Sequence, residues 1–226
     1  QNMNMENIKE ITVEAGRPDT ITMDKLRILK EHGVNRISIN PQTMNPETLE
    51  RIGRTHNIEA FFKAYEMAEK VKFDTINMDV IIGLPGESPA MFENTMREIA
   101  FLKPENITVH TLAIKRSSRL KKHIKEYTFA NEAEAEEMLK ISKEYAEKMG
   151  AIPYYLYRQK YMLGNLENVG YCLPGHECIY NIQIMEERQS IIALGAGAIS
   201  KIFYPKENRF ERIPNITNVE QYVSRI

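Results

Sequence analysis

The stretch Asn77-Met-Asp79-Val-Ile-Ile-Gly83-Leu-Pro-Gly-Glu87 decides the fold class of this chain. Its β-branched residues predict a strand over residues 75–83, which the Gly83-Leu-Pro-Gly86 turn ends. Residues 89–102 follow with Phe92, Met96 and Ile99 at helical spacing, and Pro104 closes that helix. Toward the N-terminus this strand–helix unit recurs. Residues 11–14 and 36–40 read as strands, and residues 23–32 as a helix with Met23, Leu26 and Leu29 on one face, stopped at Gly33. Asn45-Pro46-Glu47 caps a short helix over 47–52, and residues 58–73 carry Phe61, Ala64, Tyr65 and Ala68 on one helical face. Residues 106–114 read as a fourth strand. Strands alternating with helices predict a parallel α/β sheet, either doubly wound or closing as a (β/α) barrel.

The rhythm changes near residue 127, which divides the chain into residues 1–127 and a smaller α+β extension, 128–226. Asn131 caps a long helix that Gly150 ends, residues 152–159 read as a Tyr-rich strand, and residues 189–194 as another. Between those strands, residues 164–180 read as irregular, with Gly, Asn, Pro and Cys.

Composition narrows the function classes. The chain has 226 residues, 42% apolar and 27% charged, enough for a sizeable core and no case for disorder. Its 30 basic and 31 acidic residues nearly cancel, so nucleic acid is not an expected partner. No apolar run approaches the roughly 18 residues of a membrane span, so no membrane partner is expected either. Cys172 and Cys178 are the only cysteines, which excludes a disulfide-stapled secreted domain and favours a cytoplasmic setting. Two thiols also cannot supply a three-thiolate cluster site.

In parallel α/β folds ligands bind beyond the carboxyl ends of the strands. The residues there are Glu14, then Asn40 and Gln42, then Asp79 within the third strand, then His110 and Thr111. Glu14 reads either as a ligand carboxylate or as a surface group, and Gln42 either as a ligand amide or as turn chemistry before Asn45. Asp79 interrupts an apolar run expected to be buried on both faces, and a buried carboxylate needs partners. Arg54 reads as a bidentate carboxylate clamp or as a solvated arginine. Together the set suits a polar, zwitterionic, ribose-bearing ligand: carboxylates accept from ribose hydroxyls, and an arginine pairs with an amino-acid carboxylate. S-adenosylmethionine is consistent with this, as are other nucleotides.

A resemblance goes further. Thr12-Val-Glu14-Ala-Gly-Arg17, Arg36-Ile-Ser-Ile-Asn-Pro-Gln42-Thr-Met-Asn45, Ile52-Gly-Arg54-Thr-His56 and Ile76-Asn-Met-Asp79-Val-Ile-Ile-Gly-Leu-Pro-Gly-Glu87 together resemble the radical S-adenosylmethionine family. Within it, the match is to the oxygen-independent coproporphyrinogen III oxidases. Pro153-Tyr-Tyr-Leu-Tyr157 with Asn168-Val-Gly-Tyr171, and Ile192-Ala-Leu-Gly-Ala-Gly-Ala-Ile-Ser200, resemble the branch called coproporphyrinogen dehydrogenase. The resemblance implies an incomplete TIM-like (β/α) barrel with a C-terminal α+β extension completing the site. It assigns S-adenosylmethionine contacts to Glu14, Gln42, Arg54 and Asp79, with backbone contacts near Ala113 and Ile199. It implies that S-adenosylmethionine, reduced at a [4Fe-4S] cluster, yields a radical that abstracts hydrogen from propionates of coproporphyrinogen III. These lose carbon dioxide and become vinyl groups, giving protoporphyrinogen IX in haem biosynthesis. The partners implied are a small-molecule porphyrinogen and an electron donor.

One departure stands out. The family's Cys-x3-Cys-x2-Cys loop after its first strand is not in these residues, and Cys172 and Cys178 have the wrong spacing to replace it. The chain therefore reads as an N-terminally truncated fragment beginning two β/α units into the barrel, inactive alone. No catalytic residue and no metal ligand is assigned within it.

Two constellations stay open. Cys172-Leu-Pro-Gly-His176-Glu-Cys178 is a plain loop with free thiols or a zinc turn lacking a fourth ligand. Lys115, Arg116, Arg119, Lys121, Lys122 and Lys125 form a solvated basic face or a propionate-binding run. The rival function classes are a haem chaperone on the same scaffold, with His110 or His176 near haem, and an ordinary (β/α) metabolic enzyme. The latter needs an acid–base pair at strand ends, where His110 is the only histidine.

Overall fold

The computed structural model describes residues 6–55, 57–113, 127–158 and 166–225. Strand β1 (Thr12–Glu14) leads through a 3-10 turn (Pro18–Thr20) to helix α1 (Met23–Glu31) and strand β2 (Arg36–Ser38). Helices α2 (Pro46–Arg51) and α3 (Ile58–Val71) precede strand β3 (Thr75–Ile82), then come α4 (Pro89–Leu102) and β4 (Asn106–Thr111). Helix starts follow local chemistry. The side chains of Thr22, Asn57 and Ser88 accept backbone N–H groups at the starts of α1, α3 and α4. Asn131 and Glu134 make a reciprocal capping box on helix α5 (Glu132–Lys148). Asn45 precedes α2 as expected, but its side chain does not cap that helix.

Strands β1, β2, β3 and β4 pair in parallel, in that order. The sheet does not end near residue 127. After α5 it continues with strand β5 (Ile152–Tyr157) at the edge and β6 (Asn168–Cys172) inserted antiparallel beside β4. The result is a mixed α/β fold with a mainly parallel six-stranded sheet of order β1-β2-β3-β4-β6-β5, unclosed among the described residues. Its compact unit runs over Gln1–Glu177.

The second unit, Cys178–Ile226, holds helix α6 (Ile179–Glu186), the hairpin β7 (Ile199–Tyr204) with β8 (Arg209–Pro214), and helix α7 (Val219–Val223). The strand expected over residues 189–194 does not form. Only Ile191 makes a bridge, to Lys201, because the hairpin partner of β7 is β8. Strand β6 lies within the stretch expected to be irregular. Its Asn, Gly and Cys content hides a wholly buried strand, and Gly170 is needed there because a Cβ would run into the Tyr155 ring.

The two faces of the main sheet differ. Ile37, Ile39, Met78, Val80, Ile82, Ile107 and Val109 point to the helices and are buried with Leu26, Phe61, Phe92, Met96 and Ile99. Each such side chain stabilises by roughly 1.5–3 kcal/mol on leaving water. The alternating positions present Glu14, Arg36, Ser38, Asn40, Asn77, Asp79, Asn106, Thr108 and His110 to the other face. So Asp79 does not interrupt a strand buried in apolar surroundings on both sides. It belongs to a polar wall.

Candidate functional site

Asp79 is the centre of that wall. Its Oδ1 accepts from Asn77 Nδ2 at 2.8 Å and its Oδ2 from Asn40 Nδ2 at 2.8 Å, while His110 Nε2 lies 3.5 Å from Oδ2. Asn40 Oδ1 in turn accepts from the Asp79 N–H (3.2 Å) and from Ser38 Oγ (2.7 Å). Asn77 Nδ2 also donates to Ser38 Oγ at 2.8 Å. The carboxylate thus has the partners that its position demands, and it keeps 19% of its side chain open to solvent.

Glu14 sits at the carboxyl end of β1 beside this network. Partial desolvation, then the nearby Asp79 charge, raise its pKa above the usual carboxylate value, against a hydrogen bond from Ser38. Two carboxylates sharing one polar wall favour a ligand that donates hydrogen bonds or carries positive charge. Gln42 lies on the segment after β2, buried, with its N–H donating to the Asp79 carbonyl (3.0 Å) and its own carbonyl accepting from Ile81 N (3.0 Å). Its φ of 67° is left-handed, a conformation that a non-glycine residue adopts rarely and often beside a ligand site.

Arg54 follows α2, half-buried, with Nη1 3.4 Å from the Gly16 carbonyl. Desolvation and the charge of Arg17 lower its pKa, while Asp19 and Asp79 act in the opposite sense. Close approach matters at Gly16, where a Cβ would come within 3.2 Å of Asn40 Nδ2. Glu14, Gln42, Arg54 and Asp79 therefore share one neighbourhood at the carboxyl ends of β1–β3. Ala113 lies just past β4, where Leu112 N donates to the Ile82 carbonyl at 3.0 Å. Ile199 opens β7 in the second unit, half-exposed and paired with Pro214.

Several contributors were not singled out by motif. Glu87, at the end of the Gly83-Leu-Pro-Gly86 turn, is buried and accepts from Asn45 Nδ2 (2.8 Å) and from Thr43 Oγ1. It ties that turn to the segment carrying Gln42, which is the work that the Asn45 side chain performs instead of capping α2. Burial, the largest effect, raises the Glu87 pKa against hydrogen bonds from Thr43 and Asn45. Asn77, Ser38 and Tyr157 were equally unmarked. The signal for the first two is the polar alternation Arg36-x-Ser38-x-Asn40 and Thr75-x-Asn77-x-Asp79.

The other constellations resolve differently. His176 Nδ1 bonds Thr75 Oγ1 at 2.8 Å, and its carbonyl accepts from Arg36 Nη2 (2.6 Å) and Asn106 Nδ2 (3.0 Å). Cys172 is free, and burial pushes its thiol up to about 12, which disfavours the thiolate that a metal needs. Among the described residues no group of three or more His, Cys, Asp and Glu is placed to hold a metal. The basic run from Lys115 to Lys125 lies outside the described residues.

The donor set of the polar wall fits the ribose and charged groups of S-adenosylmethionine. A [4Fe-4S] cluster does not fit these residues, because two cysteines in this arrangement supply no cluster ligand set.

Residues 3–99 match the family model for the Radical SAM superfamily. The oxygen-independent coproporphyrinogen-III oxidase-like protein HemZ of Bacillus subtilis (strain 168) is 47% identical over 221 residues, 98% of this chain and 44% of the relative. The heme chaperone HemW of the same organism is 37% identical over 108 residues, 48% of this chain and 28% of the relative. Coproporphyrinogen III oxidase (HemN) from Escherichia coli, described as a radical SAM enzyme, superposes with a TM-score of 0.70 at 19% identity. That superposition covers 96% of this chain and 48% of the other, so the likeness is one of fold. The chain spans about half the length of the HemZ and HemN relatives. By the family model and the HemZ likeness, this chain carries a domain of the Radical SAM superfamily over residues 3–99.

Proposed function

We propose that this chain provides the S-adenosylmethionine- and substrate-facing wall of a radical SAM oxidoreductase that decarboxylates coproporphyrinogen III propionates to vinyl groups. The observation that carries the reading is the convergence of Glu14, Asn40, Arg54 and Asp79 on the polar wall. Glu14 and Asp79 accept ribose hydroxyls, and Arg54 pairs with the amino-acid carboxylate. Gln42 lends its amide from a backbone bonded to the Asp79 carbonyl and the Ile81 N–H. The backbone at Ala113 is assigned to the same cofactor. When bound, S-adenosylmethionine supplies one-electron chemistry that opens the substrate C–H bond. The residues here bind and orient it. By the same reading the 226 residues alone do not turn over substrate, since they carry no thiolate set for a cluster. The electron donor then serves thiolates outside this sequence, and a cytoplasmic setting suits such reduced chemistry.

Titrating the chain with S-adenosylmethionine to millimolar concentration, followed by amide chemical shifts, tests this. Saturable shifts at Glu14, Gln42, Arg54 and Asp79 are expected, and their absence overturns the assignment. A second reading, haem delivery, draws support from the heme chaperone relatives. It requires a stoichiometric Soret shift on haem titration that depends on His110 or His176. Against it, both ring nitrogens of His110 face partners, Tyr157 at Nδ1 and Asp79 at Nε2.

A further inference from the structure

His110 is not among the residues that the family resemblance assigns, yet the structure gives it a defined task. It stands on β4 two residues beyond the strand neighbour of Asp79, on the same face, with register Asp79↔Thr108 and Ile81↔His110. From there Nε2 reaches Asp79 Oδ2 at 3.5 Å, and Nδ1 lies 3.1 Å from the Tyr157 hydroxyl. The Tyr157 ring is parallel to that of Tyr155 within 4°, centroids 5.9 Å apart. Tyr155 occupies the space that Gly170 leaves open. Each constraint hands on to the next, from β6 through β5 and β4 to β3.

The Tyr157 hydroxyl can donate to Nδ1 or accept from it, and the arrangement in which it donates leaves the ring proton on Nε2, facing the Asp79 carboxylate. Asp79 Oδ2 accepts from Asn40 and has His110 Nε2 3.5 Å away, whereas Oδ1 has Asn77 alone beside it. The oxygen with spare accepting capacity is Oδ1.

We propose that His110, held in one tautomer by Tyr157, is a positioning residue that orients Asp79 so that Oδ1 receives a hydroxyl of the bound nucleoside. This rests on the proposed S-adenosylmethionine site. A histidine that merely fills space predicts the opposite substitution pattern, which makes the two separable.

The test uses the whole chain with S-adenosylmethionine as probe, and imidazole nitrogen shifts as a ligand-free readout. His110→Gln keeps an N–H near the Nε2 position, whereas His110→Phe keeps ring volume without a donor. Expected is an affinity within about threefold of wild type for the glutamine variant and a loss of about tenfold for the phenylalanine variant, the scale of one hydrogen bond to a charged group. Tyr157→Phe removes one oxygen atom and is expected to shift the His110 nitrogens away from a pure Nε2–H pattern. Wild-type binding with His110→Phe equal to or better than His110→Gln, or an unaltered tautomer in Tyr157→Phe, overturns this inference and leaves the binding site standing. No saturable binding by wild type overturns the site and this inference with it.

Discussion

The polar wall has two ends, and they are built differently. At the amino ends of the strands, residues 173–177 fold across the wall. His176 is bonded to Thr75, Arg36 and Asn106, and Leu173 N donates to the Glu105 carbonyl at 2.9 Å. The Arg36–Glu10 ion pair there is 3.3 Å long, with side chains only 6% and 13% exposed. At the carboxyl ends, Asp79 and His110 are 19% and 28% exposed, and Glu14 keeps wider contact with solvent. Similar polar residue types therefore serve two purposes on one surface. Where residues 173–177 cover them they close a floor, and where no described residue does they remain available to a ligand.

Substitutions at the two ends should separate stability from binding. The largest effect is expected from Arg36→Ala, which takes the cation from Glu10 and one of two donors from the His176 carbonyl in a closed place. A destabilisation of about 3 kcal/mol is expected in urea titration, in line with breaking a buried pair. At the open end, Asp79→Asn should leave the urea midpoint nearly unchanged. It should weaken S-adenosylmethionine binding by about 2 kcal/mol, the scale of a lost charge-assisted hydrogen bond. A strong stability loss in that variant would make Asp79 part of the floor's kind of structure. His176→Ala removes one side-chain hydrogen bond and keeps its backbone contacts, so about 1 kcal/mol is expected in stability with ligand affinity unmoved.

The smallest effect lies with Glu87. Burial raises its folded-state pKa, so the proton is held more tightly folded than unfolded. The resulting stability is complete below about 4.5, the ordinary glutamate value, and is lost as pH rises through the folded pKa. Glu87→Gln has no such loss. Its stability relative to wild type should improve between pH 4 and pH 8, and a flat difference across that range would contradict the burial argument.

Much of this was legible in the residues. The repeated β/α units and the helix cap at Asn131 follow from local pattern, and the Radical SAM resemblance follows from motifs in order. Strand β6 was hidden because Asn168, Gly170 and Cys172 are poor strand formers alone, and their suitability depends on Tyr155 lying over Gly170. Antiparallel β5 and β6 join the main sheet through contacts remote in sequence, which no local pattern announces. Asp79 was noticed, but its setting was misjudged, because a parallel strand with one polar face needs the neighbouring strands to reveal it. The Asp79–His110–Tyr157 line joins three separate strands, so no local pattern announces it.

Hydrogen exchange with and without millimolar S-adenosylmethionine tests the account most directly. Protection is expected at the carboxyl ends of β1, β2, β3 and β4, from Glu14 through Gln42 and Asp79 to Leu112, with residues 173–177 unchanged. Protection confined to residues 173–177 and Arg36, or none at the carboxyl ends, would contradict it.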